Sequence, residues 1–402
     1  MGKNYRGPLA VLAVIVLLAA KGLYSYYLSY DYALQRRAEL ARQNRPEIHV
    51  AVVWDLLREK SFLDGVKLAA SETNRTGIRL VSDGQETLGK LVLHEYDDGT
   101  ADDAEDTWLA VSAARDIVAV VGHSSSATAI PASISYEYNG VLFISAVATS
   151  SALTAPKFKY TFSIVPTDQA FADALVSYAE THRLYKLVVL YARSEYGLGF
   201  YESFVSALPE NFDLIATRSF FETEEDKLAG NLSSTTGTIY QLMQQDFDAV
   251  VVAAKGERGA AMVEQLRDMG VDKPILGSEA LDDEDVWRWS HHTANRLFVA
   301  SVFAKDSTAT PPLTQAFIDN FRQAYGYEPG YYAFQGYEAV KVLASAYQLA
   351  GSTVPIRVAA ALQFGYKNGY NGYVFDRHSR ITNKKIVIKE MVNGKFNTID
   401  PE

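Results

Sequence analysis

The chain contains no cysteine. Disulfides, thiolate metal sites, cysteine nucleophiles and lipid attachment through a thiol are therefore excluded. An oxidising compartment is compatible with this absence but not required by it. Basic charge is not in excess. Lys and Arg number 38 against 48 Asp and Glu, a formal net charge of −10, which argues against a general nucleic-acid binder. There is no P-loop pattern and no GxSxG elbow, and the lone YGLG fragment at Tyr196–Gly199 is not a dinucleotide fingerprint. His291-His292 has no nearby acidic ligand at fitting spacing and reads as a surface helix end, so no metal or other cofactor is expected. Solenoid repeats and low-complexity tracts are also missing. What remains is ordinary globular material: 402 residues, 48% hydrophobic and 21% charged, enough for two domains or for one with a long appendage.

Lys3 and Arg6 precede an apolar run from Pro8 to Ala20, and Lys21 separates it from Gly22–Leu28. A cleaved signal peptide has such a start, but its best cleavage site, after Ala20, places Leu18 at the minus-three position. An uncleaved anchor over Pro8–Leu28, with Lys21 snorkelling and Tyr24, Tyr26 and Tyr27 at the interface, fits better. Arg36, Arg37, Arg42 and Arg45 follow it, so the positive-inside rule does not favour export of the remainder. Residues 1–30 are thus expected to form a signal anchor or signal peptide, and residues 31–45 a helical stalk ended by Pro46.

From Ile48 onward strands alternate with helices, the mark of βαβ units and parallel sheets. The most informative stretch is Ile117 to Thr154. IVAVV reads as a strand buried on both faces. Gly122 ends it, three hydroxyls follow at Ser124, Ser125 and Ser126, and a helix runs to Asn139-Gly140. VLFIS is the next strand, and a second hydroxyl-rich turn runs from Ala146 to Ser151. Ligands of open α/β sheets bind at the carboxyl ends of strands, and a helix N-terminus there suits an anion. The plainer reading of each turn is N-capping alone. A second α/β series follows, with a turn at SEYGLG, a strand FDAVVVAA and a short strand and turn KPILGSEA. Two such units predict two lobes and a cleft between them. The tail reads as strands GYVFD and KKIVIKEMV, with a hairpin at Asn393-Gly394.

From about Pro46 to the C-terminus these motifs resemble the type I periplasmic solute-binding proteins, especially the branched-chain amino-acid-binding family. The matching motifs are the Ser-Ser turn before a helix, the Ser/Ala-rich turn ending in Leu-Thr, PTDQ at Pro166, SEYGLG, GSEA at Gly277 and GYVFD. The resemblance implies two α/β lobes, each a parallel sheet flanked by helices, joined by three crossovers near Phe162, Leu297 and Gly351. Lobe 1 would comprise 46–161 plus 298–351, and lobe 2 would comprise 162–297 plus 352–402. It also implies a Venus-flytrap binding protein, not an enzyme, with an ABC permease as partner and a periplasmic location at the inner membrane. Carried over residue by residue, it implies a carboxylate site at Ser124–Ser126, with Ser125 as the central donor. A second turn at Ala146, Ala148 and Thr149 would give backbone and hydroxyl contacts. Tyr196 would be an aromatic wall, Glu279 the acid that pairs with an α-amine, and Tyr332 an aromatic near the last long helix. Lys255 stands where relatives often carry an aromatic residue; it meets a second ligand acid or points to solvent. The loop WDLLREKSF lacks the family's Thr-Gly-rich segment, so Trp54, Asp55 and Leu56 leave specificity open. The rival to an importer's binding protein is a tethered sensor of the same fold. An α/β enzyme is the more distant alternative.

Overall fold

In this computed structural model the described residues are 16–22, 30–41, 46–57, 60–82, 84–220, 232–287, 294–305, 310–366 and 369–399. His291-His292 and most of the Pro8–Leu28 run lie outside them. Among the described residues no helix is long and apolar enough to cross a membrane.

The first sheet contains β1 (Glu47–Trp54), β2 (Ile78–Ser82), β3 (Gln85–Asp97), β4 (Ile117–Gly122), β5 (Leu142–Ser145) and β6 (Thr161–Ser163). Their order is β2-β3-β1-β4-β5-β6. All pairings are parallel except the β2–β3 hairpin. Successive side chains of a strand face opposite ways, so β1 feeds two cores. Val50, Val52 and Trp54 pack with Phe62, Val66 and Ala333, while Ala51 and Val53 pack with Val111, Ala129 and Tyr136. This two-sided burial is why such strands read as unbroken apolar runs. Helices Lys60–Thr76 and Tyr331–Ala350 cross almost backbone to backbone. A Cβ on Gly65 would lie 2.0 Å from the Ala333 carbonyl, and one on Gly336 would lie 2.4 Å from that of Phe62. The contact fixes the start of the second helix, where Tyr331 and Tyr332 stand.

The second sheet contains β7 (Lys186–Ala192), β8 (Asp213–Phe220), β9 (Ala249–Ala253), β10 (Ile275–Gly277), β11 (Leu297–Ser301), β12 (Val387–Val392) and β13 (Lys395–Ile399). It is ordered β13-β12-β11-β10-β9-β7-β8. Strands from β11 to β8 are parallel, and β12 and β13 join antiparallel. Asn393 and Gly394 adopt φ of 51° and 79°, the left-handed pair that closes a two-residue hairpin.

Two boundaries differ from the sequence reading. β11 is fully buried between β10 and β12, so residues 298–301 belong to the second lobe rather than the first. Helix Pro355–Gly365 packs on helix Tyr331–Ala350 and on β5 of the first sheet, with Val358 and Leu362 buried, so the crossing near Gly351 comes later. GYVFD is not a strand. It forms a 3-10 turn at Tyr370–Gly372 and a single bridge from Phe375 to Ile381.

The expected stalk helix is present as Tyr30–Ala41, and it is docked on the first lobe. Arg37 is buried and reads the ends of two helices. Its guanidinium donates to Ser112 O (3.1 Å) and Ala114 O (2.8 Å), to Asn139 O (2.5 Å), and to Ile117 O (2.8 Å) at the start of β4. A cation on the last carbonyls of a helix also meets the negative end of its dipole. Thr353 Oγ1 donates to Ala41 O at 3.0 Å and pins the far end. Arg37→Ala is expected to cost about 1.5–3 kcal/mol, the range for hydrogen bonds to a charged group. Amide exchange of residues 30–41 checks this: protection that survives the substitution would mean that Arg37 does not hold the helix.

Candidate functional site

The cleft forms where strand ends of the two sheets face each other. Gly122 ends β4 with φ of 135°, and a Cβ there would lie 1.9 Å from Val53 O, so no other residue can make this turn. Ser124–Ser126 then lead into helix Ser126–Asn139. The turn is held from behind. Asp98 Oδ2 accepts from Ser124 N (3.0 Å) and Thr128 Oγ1 (2.9 Å), and lies 2.9 Å from His123 Nδ1, whose Nε2 is 2.9 Å from Tyr136 Oη. Burial opposes the Asp98 charge, yet His123 and the Ser124 hydrogen bonds hold its carboxyl below the ordinary aspartate value.

Ser125, expected as the central ligand donor, is the N-cap of this helix. Its Oγ accepts from Thr128 N at 3.2 Å and lies 3.0 Å from Thr128 Oγ1. Capping uses a lone pair of the hydroxyl and leaves its O–H as a donor, and the first amides of the helix, at Ser126 and Ala127, have no intrahelical acceptors. The turn therefore offers an anion its backbone amides together with the Ser125 O–H.

One cleft of about 290 Å³, counted out to its mouth, is lined by Ser124, Ser125, Ser126, Val147, Tyr196, Lys255, Glu279, Ala280, Tyr331 and Tyr332. Tyr332 is positioned by Trp54, which meets it edge-on at 5.8 Å and stacks on Phe62 at 3.6 Å. Tyr196 Oη donates to Glu279 Oε1 at 2.8 Å. Glu279 is 3% exposed, and its Oε2 accepts no hydrogen bond among the described residues. Burial, and then repulsion from Asp168, pushes the Glu279 carboxyl up to about 8. Asp168 is itself pushed up to about 6 by burial, against the pull of Arg380. Across the cleft, Lys255 Nζ donates to Ser124 O at 3.1 Å and bridges the lobes. Among the described residues, no group of three or more His, Asp or Glu side chains is placed to hold a metal ion.

The second turn corrects the sequence reading in part. Ala146, Ala148 and Thr149 are fully buried and do not line the cleft; Val147 does. Their carbonyls are already taken. Ala146 O accepts from Gln335 Nε2, Ala148 O from Arg380 (3.3 Å), and Thr149 O from Asp168 N (3.1 Å). Arg380 also donates to Val165 O (3.0 Å), Pro166 O (3.3 Å) and Ser150 O (2.7 Å), and its Nε to Thr154 Oγ1 (3.3 Å). It ties the turn to the segment that crosses between the lobes. Lys384 Nζ works beside it, bonding Ile164 O (3.2 Å), Gln335 Oε1 (2.6 Å) and Glu338 Oε2 (2.6 Å). Neither Arg380 nor Lys384 carried a sequence signal, because each meets its partners only after the tail folds back. Asp98 could have been found, as an acid at the carboxyl end of a strand.

Several known proteins are similar to this chain in sequence and fold. A family model described as "Periplasmic binding protein" matches residues 58–395. A Leu/Ile/Val-binding protein homolog of Brucella melitensis is 25% identical over 299 residues, covering 73% of this chain and 76% of its own. Among solved structures, an ABC transporter substrate-binding protein from Desulfitobacterium hafniense in complex with Leu is 26% identical. It aligns over 88% of this chain and 100% of its own, with a TM-score of 0.71. A branched-chain amino acid transporter substrate-binding protein from Streptococcus pneumoniae, in complex with isoleucine, shares the fold at a TM-score of 0.75 and 24% identity. It too aligns over 88% of this chain and 100% of its own.

Proposed function

The chain belongs to the periplasmic binding protein family, a family of solute binders rather than enzymes, and from that premise we propose that it captures an α-amino acid by closure of its two lobes and hands it to an ABC importer. The observation that carries this reading is the buried Glu279 Oε2, which has no hydrogen-bond partner among the described residues and lies in the same cleft as the helix start at Ser126. A zwitterion satisfies both: its ammonium meets the carboxylate, and its carboxylate meets the amides. Such charge-assisted bonds are the strong kind. Tyr196, Tyr331 and Tyr332 enclose the rest of the ligand, while Ser124 and Val147 shape the floor. The Desulfitobacterium hafniense relative is in complex with leucine, which supports an amino acid as cargo. Closure then shifts an open–closed equilibrium that the permease reads.

The site is extracytoplasmic, as the family implies. Tethering to the inner membrane through Pro8–Leu28 belongs to the same proposal, and fractionation that leaves full-length chain in the membrane pellet supports it. The docked helix Tyr30–Ala41 favours a second role, a tethered sensor that signals closure to a membrane partner, because it would hold the first lobe fixed relative to the membrane.

A thermal-shift screen of the purified protein against amino acids, amides, urea and small carboxylic acids tests the main reading. A ligand at 100 times its dissociation constant adds about 2.7 kcal/mol of stability. Stabilisation by small acids that lack an amine, with none by amino acids, would remove the proposal.

A further inference from the structure

The cleft holds one charge more than a simple zwitterion needs. On the reading above, Glu279 takes the ligand ammonium and the helix start at Ser126 takes the α-carboxylate. Lys255 is left over, and it is the one cationic side chain on the cleft wall among the described residues. Its ammonium has three donors. One goes to Ser124 O at 3.1 Å, and Glu195 and Glu279 feel its charge through space without accepting a hydrogen bond from it among the described residues. Lys255 is also the N-cap residue of helix Gly256–Asp268, and that helix has no side-chain cap. Its first amides add partial positive charge on the same side. An aliphatic side chain placed here would desolvate this ammonium without answering it, which is costly.

We infer that the ligand carries a second anionic group, which Lys255 and the start of helix Gly256–Asp268 receive, so that the cargo is an acidic α-amino acid rather than a branched-chain aliphatic one. This rests on the amino-acid reading above and narrows it. The hydrogen bond to Ser124 O then holds Lys255 across the cleft, where a ligand acid would compete for it. A charged partner gains more from such a donor than a neutral amide of the same shape, so the comparison of glutamate with glutamine isolates it.

Calorimetric titration of the full-length protein with L-glutamate, L-aspartate, L-glutamine and L-leucine tests this. The better acidic ligand is expected to bind at least about tenfold more tightly than L-glutamine and L-leucine, the lower end of the range for hydrogen bonds to charged groups. In Lys255→Met the ratio of acid to amide affinity should fall to near one. A Lys255→Met protein that weakens all four ligands by the same factor would make Lys255 a latch between lobes and overturn the inference. So would a wild-type preference for L-leucine. If L-leucine binds in a Glu279-dependent way and the acids do no better, only this inference fails. If none of the four binds, the amino-acid reading fails with it. L-Glutamine binding by the variant reports that it is folded.

Discussion

Arg380→Met is expected to lower the stability of the protein by about 3–5 kcal/mol, the range for breaking a buried charge network from one side. Arg380 is 4% exposed and serves Ala148 O, Ser150 O, Val165 O, Pro166 O and Thr154 Oγ1. Methionine fills similar space but donates nothing, so these acceptors stay buried and unsatisfied. Asp168 loses the cation that opposes its burial. The loss should be larger than for an exposed pair such as Arg322–Glu328, where solvent screens both partners. Denaturant unfolding gives the number by linear extrapolation. Ligand affinity should fall as well, because the segment Val165–Pro166 and the turn at Ala148–Ser150 lose their shared anchor. A stability loss under about 1 kcal/mol would mean that the acceptors find water, and that the arginine is not the tie between the turn and the crossing segment.

Glu279→Gln is expected to weaken binding of an α-amino acid by about 1.5–3 kcal/mol, roughly 10- to 150-fold. The amide keeps the acceptor for Tyr196 but has no charge for an ammonium. The pH dependence has a definite sign. Burial raises the Glu279 carboxyl from its ordinary value of 4.5 to about 8 in the folded protein. The unliganded fold therefore keeps this proton longer than the unfolded chain does. Its contribution to stability is fully present below about pH 4.5 and is lost as pH rises through about 8. An arriving ammonium needs the carboxylate, so near neutral pH binding should release a proton from Glu279. Affinity should climb as pH approaches 8. Calorimetry in buffers of different ionisation enthalpy counts that proton. In Glu279→Gln both the proton release and this part of the stability profile should vanish. Unchanged affinity in the variant would take Glu279 out of the site.

Much of the fold was legible in the chain. Ile117–Val121 and Ala249–Ala253 are runs of small and β-branched residues, and both become strands buried throughout. The Asn393-Gly394 dipeptide closes the hairpin its sequence calls for. The boundaries were less legible. Leu297–Ser301 and Pro355–Gly365 have the right local character for their elements, but which lobe they join depends on neighbours far away in the chain. The candidate site divides in the same way. Ser124–Ser126, Tyr196, Lys255, Glu279 and Tyr332 come to one cleft, whereas Ala146, Ala148 and Thr149 have their carbonyls taken by interior donors.

By itself, the sequence determined the type of each element and the chemical character of its ends, because propensity, capping and alternation act within a few residues. It therefore placed hydroxyls and helix starts at the carboxyl ends of strands. Only the tertiary structure decided which of those groups stay open to a ligand. Ser125 Oγ accepts from Thr128 N, three residues on, and the Ala148 and Ser150 carbonyls of the turn after β5 accept from Arg380, more than two hundred residues on. Tyr196 meets Glu279 across 83 residues of chain, and Lys255 meets Ser124 across 131. Such meetings follow from how the sheets stack and how the lobes close. A polar group is free for function only when no other part of the fold has reached it first.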